Sequence, residues 1–122
     1  MLPTHKRWPL YEVKANLFKG LSHPARIRIL ELLSASDELT VGQLIEETGL
    51  EASHLSQHLA VLRRHQLVSS DRRGSHVFYH LAHPEVAEML AVARRLLIET
   101  LASSGVMLEE ARDLPGITRE GE

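Results

Sequence analysis

The chain has 122 residues, of which 43% are hydrophobic and only 4% aromatic, and a formal net charge of −2; it is one domain with tails, built on an aliphatic core and small enough to gain from self-association. It contains no cysteine, which excludes disulfides, thiol catalysis and thiolate metal sites. No apolar run approaches the roughly 20 residues a membrane helix needs, and the opening MLPTHKRWPLYE lacks the apolar stretch of a signal peptide, so a cytoplasmic protein with no membrane partner is expected.

Residues 1–8 read as an N-terminal tail, in which His5, Lys6 and Arg7 could serve as a metal ligand or a minor-groove arm. Leu10, Val13, Leu17 and Leu21 mark a first helix over roughly 9–21, with Gly20 loosening its end. Ser22-His23-Pro24 restarts the chain, with proline at the first helical position. Ile27, Ile29, Leu30 and Leu33 make the second helix a buried one, and Ser36-Asp37-Glu38 reads as a loop. Thr40 and Gln43 fit a capping box at the head of a short third helix, which Val41, Leu44 and Ile45 bury and Gly49 ends. A fourth helix begins near Glu51, a weak N-cap but a favourable charge at a helix start. Short helix, tight turn and longer helix together form a helix-turn-helix.

In the fourth helix Leu55, Leu59 and Leu62 form the core stripe. At about 100° per residue the opposite face carries Ser53, His54, Gln57, Val61 and Arg64. Ser56 and Arg63 flank the stripe on one side and His58 on the other. Short hydrogen-bonding side chains can reach base edges in a major groove, and arginines can reach phosphates. The period then changes. Val77, Tyr79 and Leu81 alternate after Leu67-Val68, and Arg72-Arg73-Gly74-Ser75 supplies a turn with a basic tip, so a β-hairpin is predicted. His83-Pro84 starts a last helix, whose stripe of Val86, Met89, Leu90, Ala93, Leu96, Leu97 and Leu101 exceeds what one small core can cover. A second copy, together with the first helix, is the expected cover. The predicted homodimer interface is therefore Leu10, Val13, Leu17, Met89, Leu90, Ala93, Leu97 and Leu101. The domain is placed at 9–112, followed by an acidic tail over 113–122 with Pro115, Gly116 and Gly121.

The charge is polarised. Residues 53–76 hold Arg63, Arg64, Arg72 and Arg73, with His54, His58, His65 and His76, against the single carboxylate Asp71. From Glu109 onward acidic residues dominate. A modest basic patch implies modest non-specific affinity, and a need for two copies to grip double-stranded DNA.

The order helix, helix, helix-turn-helix, hairpin, helix resembles the ArsR/SmtB family of bacterial winged-helix repressors. The resemblance covers roughly residues 10–102. It rests on Leu21-Ser22-His23-Pro24-Ala25-Arg26-Ile27-Arg28-Ile29-Leu30, on Glu38-Leu39-Thr40-Val41-Gly42-Gln43-Leu44, and on Ser53, Ser56, His58-Leu59, Leu62-Arg63, Leu67-Val68, Arg72, Gly74 and Tyr79 to Leu81. It implies a mostly α fold with a β-hairpin, a winged helix-turn-helix, acting as a homodimeric repressor on operator DNA. DNA contacts are expected from Ser53, His54, Ser56, Gln57, His58, Arg63 and Arg64, and from Arg72, Arg73 and Ser75 of the wing.

Members of that family often lose DNA affinity when a metal or another inducer binds. One of their sites begins the third helix with two cysteines; here those positions are Thr40 and Gly42, which excludes thiolate sensing there. Another lies on the last helix, as an Asp-x-His pair completed about ten residues later by His-x-x-Glu from the partner subunit; here this chain offers His83, Glu85, Leu96 and Glu99. Leu96 cannot ligate, so a nickel or zinc site would have to use His80, His83, Glu85 and Glu99; otherwise His83 caps the helix and Glu85 favours its first turn. His54 and His58 also have a ligand-like spacing of four, but DNA contact and packing account for them. Without a ligand set of its own, the regulator would be controlled by its expression level or by a partner protein. No Gly-x-Ser-x-Gly elbow, phosphate loop or His-Glu-x-x-His motif occurs, so an enzyme is not expected. A protein-interaction module that had lost DNA binding would have no need of Arg72 and Arg73.

Overall fold

Helix α1 spans Trp8–Leu21 and α2 Pro24–Ala35; a short strand β1, Leu39–Thr40, leads into α3, Val41–Thr48, and then α4, Ala52–Arg64. Strands β2, Val68–Arg73, and β3, His76–Leu81, form the hairpin, and α5 runs over Pro84–Ser104. This computed structural model describes residues 8–104. Residues 1–7 and 105–122, which include His5, the predicted domain end at 112 and the segment with Pro115, Gly116 and Gly121, lie outside the described residues. Trp8, assigned to the tail on sequence, begins α1 instead.

The architecture is the mostly helical winged helix-turn-helix predicted above, with one addition. The sheet has three strands in the order β1-β3-β2, all antiparallel. β1 pairs Leu39 with Tyr79 and Thr40 with Phe78. Two residues are too few to show a period, so this strand is invisible in the sequence. Thr40 also caps α3: its hydroxyl accepts from the Gln43 N–H at 3.1 Å, and Gln43 Oε1 accepts from the Thr40 N–H at 2.8 Å. This closes the predicted box.

Local chemistry sets the helix ends. His23 caps α2 with an Nδ1 that accepts from the Ala25 N–H at 3.0 Å, and Pro24 follows it. Gly49 ends α3 with φ of 73°, a left-handed turn that glycine adopts without strain. The core is aliphatic. Ile29, Leu30 and Leu33 of α2 meet Leu44 of α3 and Leu55, Leu59 and Leu62 of α4, with Tyr79, Val86 and Leu90 closing the rest. Each such side chain stabilises the fold by about 1.5–3 kcal/mol.

Two features correct the sequence reading. Leu90, expected at the dimer interface, is 5% exposed and belongs to the protomer's own core, and Leu17 packs against that core too. Arg94, four residues after Leu90, lies on the same face of α5: its Nη1 donates to Glu31 Oε1 at 2.6 Å, while Glu31 is 8% exposed. Burial pushes the Glu31 carboxyl above the ordinary range, and Arg94 pulls it back. Gly20, expected only to loosen a helix end, is buried against the His65 ring, where an added Cβ would stand 2.9 Å from Cγ. Close approach of α1 to the end of α4 therefore requires glycine there.

Gly20→Ala should lower stability by about 1–3 kcal/mol through overpacking, although alanine is the better helix former. Equal denaturation midpoints for variant and wild type would show that the two helices can part without cost.

Candidate nucleic-acid interface

The leucine stripe of α4 is buried and its other side faces out. Ser53, His54, Ser56 and Gln57 are exposed on the first two turns, and Arg63 and Arg64 on the last. Val61, predicted on the outer face, is half-buried. Gly49 and Leu50 aim α4 away from α3. The Gly49 N–H bonds Ile45 O at 2.8 Å, and the Leu50 N–H bonds the Thr48 hydroxyl at 3.2 Å. The result is a helix whose N-terminal polar face stands clear of the body, the geometry by which such motifs enter a major groove.

His58 is placed differently from its neighbours. Its ring is half-buried and lies 4.4 Å from that of His23, tilted by 48°. Its Nδ1 lies 3.4 Å from Arg26 Nη1. Arg26 in turn donates from Nε to Gly20 O at 2.8 Å and from Nη2 to Lys19 O at 3.2 Å. One guanidinium thus ties the end of α1 to α4, and His58 packs at that junction. Burial, then the nearby His23, Arg26 and His54, hold its imidazole below the ordinary range.

The wing turns at Gly74, with φ of 64°. The Arg73↔His76 register places Arg72 and Ser75 near the tip, and both are exposed. Among the described residues Arg72 makes no ion pair. Arg73 differs: its Nη2 donates to Glu38 Oε2 at 2.5 Å, its Nε lies 3.4 Å from Asp71 Oδ2, and its guanidinium covers the Phe78 ring at 3.7 Å. The hydrogen bond to Glu38 raises its already high pKa. Half of the basic tip predicted from Arg72-Arg73 is therefore internally neutralised, because the hairpin register makes Phe78 a diagonal neighbour and the β1 side of the sheet brings in Glu38. No spacing signal joins Glu38 to Arg73; Phe78 becomes a visible partner only once the register is known.

The residues proposed as metal ligands do not converge in one protomer. Glu85 and Glu99 lie on the same helix about 21 Å apart along its axis. His80 Nδ1 faces Asp71 Oδ1 at 3.9 Å, whereas His83 and Glu85 flank Leu17, Val86 and Met89. Among the described residues no three His, Asp or Glu side chains form a group able to hold an ion.

Apolar surface remains uncovered on α1 and α5. Leu10 is 53% exposed, Val13 63% and Leu97 40%, and Trp8, Tyr11, Phe18, Val92 and Leu96 are also exposed. Of the other interface residues expected from sequence, Ala93 is exposed and Met89 and Leu101 are half-buried. No described helix is long and apolar enough to cross a membrane.

Residues 23–70 match the family described as "Bacterial regulatory protein, arsR family". The chain is 50% identical over 105 residues to the uncharacterised HTH-type transcriptional regulator Rv0081 of Mycobacterium tuberculosis, covering 85% of this chain and 91% of that one. The crystal structure of Rv0081 superposes with a TM-score of 0.75 at 49% identity, over 80% of this chain and 98% of that one. The homodimeric winged helix-turn-helix DNA-binding domain of Mb0332 from Mycobacterium bovis, a possible ArsR-family regulator, gives 0.72 at 28% identity, over 78% and 87%. The transcriptional activator HlyU of Vibrio cholerae is 41% identical over 80 residues, or 66% of this chain and 73% of HlyU.

The depressed imidazole of His58 gives a prediction with a definite sign. The folded chain takes up fewer protons than the unfolded chain once pH drops below about 6.5, so stability is full above that value and is lost on acidification. His58→Gln should flatten the loss between about pH 7 and about pH 5.5, measured by denaturant unfolding. The same slope in both proteins would assign the acid sensitivity to another group.

Proposed function

Because the chain belongs to the arsR family of bacterial regulatory proteins, which are DNA-binding transcriptional regulators and not enzymes, we propose that it is a homodimeric repressor that covers an operator with two recognition helices and two wings. The observation that supports this most directly is the exposed polar face of α4, Ser53, His54, Ser56 and Gln57, backed by Arg63 and Arg64. On this reading the first four read base edges, the two arginines and the wing's Arg72 and Ser75 hold phosphates, and His58 and Arg73 shape the elements that carry them. Two copies double a basic patch that is modest in one.

The dimer is proposed to form through Trp8, Leu10, Tyr11 and Val13 of α1 with Val92, Ala93, Leu96 and Leu97 of α5. Their exposed apolar area has no other use in the described protomer. Repression follows from occlusion, since a body of this size over a promoter excludes other proteins. HlyU is an activator, so the position of the operator decides the sign, and a reporter assay with the chain's own upstream DNA reads it directly. Control by expression level or a partner protein suits this chain better than a nickel or zinc response, because Leu96 stands where the resembling sites carry a histidine and no cysteine is present.

Arg72→Ala should weaken binding about equally on operator and random DNA and reduce the salt slope by about one unit, as expected for a phosphate contact. Arg73→Ala should change that slope less, because its charge already serves Glu38 and Asp71. A titration in which the two variants behave alike would remove the distinction between them.

Leu97→Asp should yield a folded monomer, since Leu97 lies outside the core, and operator affinity should fall with it. Sedimentation showing the wild type already monomeric at micromolar concentration would contradict the dimer.

A further inference from the structure

Glu51 is the one acidic residue at the head of α4, and the sequence reading gave it only a helix-capping role. It occupies the N-cap position but makes no side-chain capping hydrogen bond. Its side chain is 80% exposed, and the nearest side-chain nitrogen is His54 Nδ1 at 4.0 Å, itself 60% exposed. That distance is too long for a hydrogen bond, so both carboxylate oxygens are free to accept. A carboxylate at the leading end of a recognition helix is repelled by phosphates, and by the acceptor atoms that guanine, adenine and thymine present in the major groove. It can accept from two base amino groups, cytosine N4 and adenine N6. Adenine sets its N7 acceptor beside N6, whereas cytosine carries no second major-groove acceptor, so cytosine is the better partner. The guanine paired with that cytosine presents O6 and N7, acceptors suited to an imidazole N–H.

We propose that Glu51 and His54 together read one C·G base pair in a fixed orientation in each half-site, Glu51 accepting from cytosine N4 and His54 donating to guanine. This rests on the operator-binding reading above and adds to it a base identity and a residue. The pair offers an acceptor and a donor side by side, the complement of a C·G edge; G·C and T·A set an acceptor against the carboxylate, and A·T sets adenine N7 beside it. Glu51 thus trades non-specific affinity for discrimination.

The test is selection from a duplex library with a randomised core, using the full-length chain and its Glu51→Gln and His54→Ala variants. The wild-type consensus should contain one C·G position per half-site at which substitution weakens binding about 5- to 100-fold. Glu51→Gln should lose the cytosine preference there and gain adenine, to which an amide can bond in bidentate fashion, with every other position unchanged and affinity for the best site within a few fold. His54→Ala should relax the same position. Identical consensus sequences for wild type and Glu51→Gln would overturn the proposal while leaving operator binding intact, and a lower melting temperature with that result would return Glu51 to helix stability. A wild type that enriches no sequence would overturn sequence-specific binding itself, and this proposal with it.

Discussion

The leucine stripe of α4, packed on α2 and α3, is the contact on which the rest of the structure depends. Leu55 and Leu62 are fully buried and Leu59 is 2% exposed, against Ile29, Leu30 and Leu44 at 0%. An aliphatic core with few aromatic rings has little directional preference of its own. It holds α4 by shape and by exclusion of water, roughly 25 cal/mol for each Å² of apolar surface buried. Burial of that stripe forces the opposite side outward, so the polar face of the helix is fixed by the same leucines. Losing one of them would tilt the reading face as well as lower stability.

Around this contact the charged residues divide between those spent on structure and those left for solvent or a ligand. Glu31 and Arg94 are spent: the pair sits between α2 and α5, on the face of α5 that Val86 and Leu90 bury. A buried pair of this kind contributes modestly over apolar substitutes, but removing one partner is costly, which makes it a device for orientation more than for strength. Arg26 is spent on the carbonyls that end α1 and on His58. Arg73 is spent on Glu38, Asp71 and the Phe78 ring, which stiffens the wing. Arg63, Arg64 and Arg72 remain exposed. A chain with a net charge of −2 can therefore present a basic edge where α4 and the wing emerge.

The same division bears on how the regulator is controlled. Histidines account for eight residues of this chain, and three of the described ones serve local ends: His23 caps α2, His58 packs beside it, His65 receives Gly20. Carboxylates and imidazoles at α5 are spread along the helix or turned to different neighbours. Arg26 of α2 joins the end of α1 to His58 of the recognition helix, and Glu31–Arg94 joins α2 to α5.

Short-range rules decided much of this protein in advance. Helix periods, the Thr40–Gln43 box, Pro24 after His23, Gly49 at a left-handed turn and the arginine-glycine hairpin tip all act within a few residues, so the element order and the outward face of α4 can be read from the sequence alone. What the tertiary structure decided joins residues far apart in the chain: Arg26 with His58 across 32 positions, Glu38 with Arg73 across 35, Glu31 with Arg94 across 63. Tertiary packing also put Leu90 in the core rather than at a predicted interface, gave Arg73 and His58 partners within the protomer, added β1 to the sheet and turned Gly20 from a helix end into a packing requirement. The reason is physical: a period or a cap is set by neighbours along the chain, whereas the side of a helix that is covered, and the charge that is neutralised, depend on which other elements fold against it.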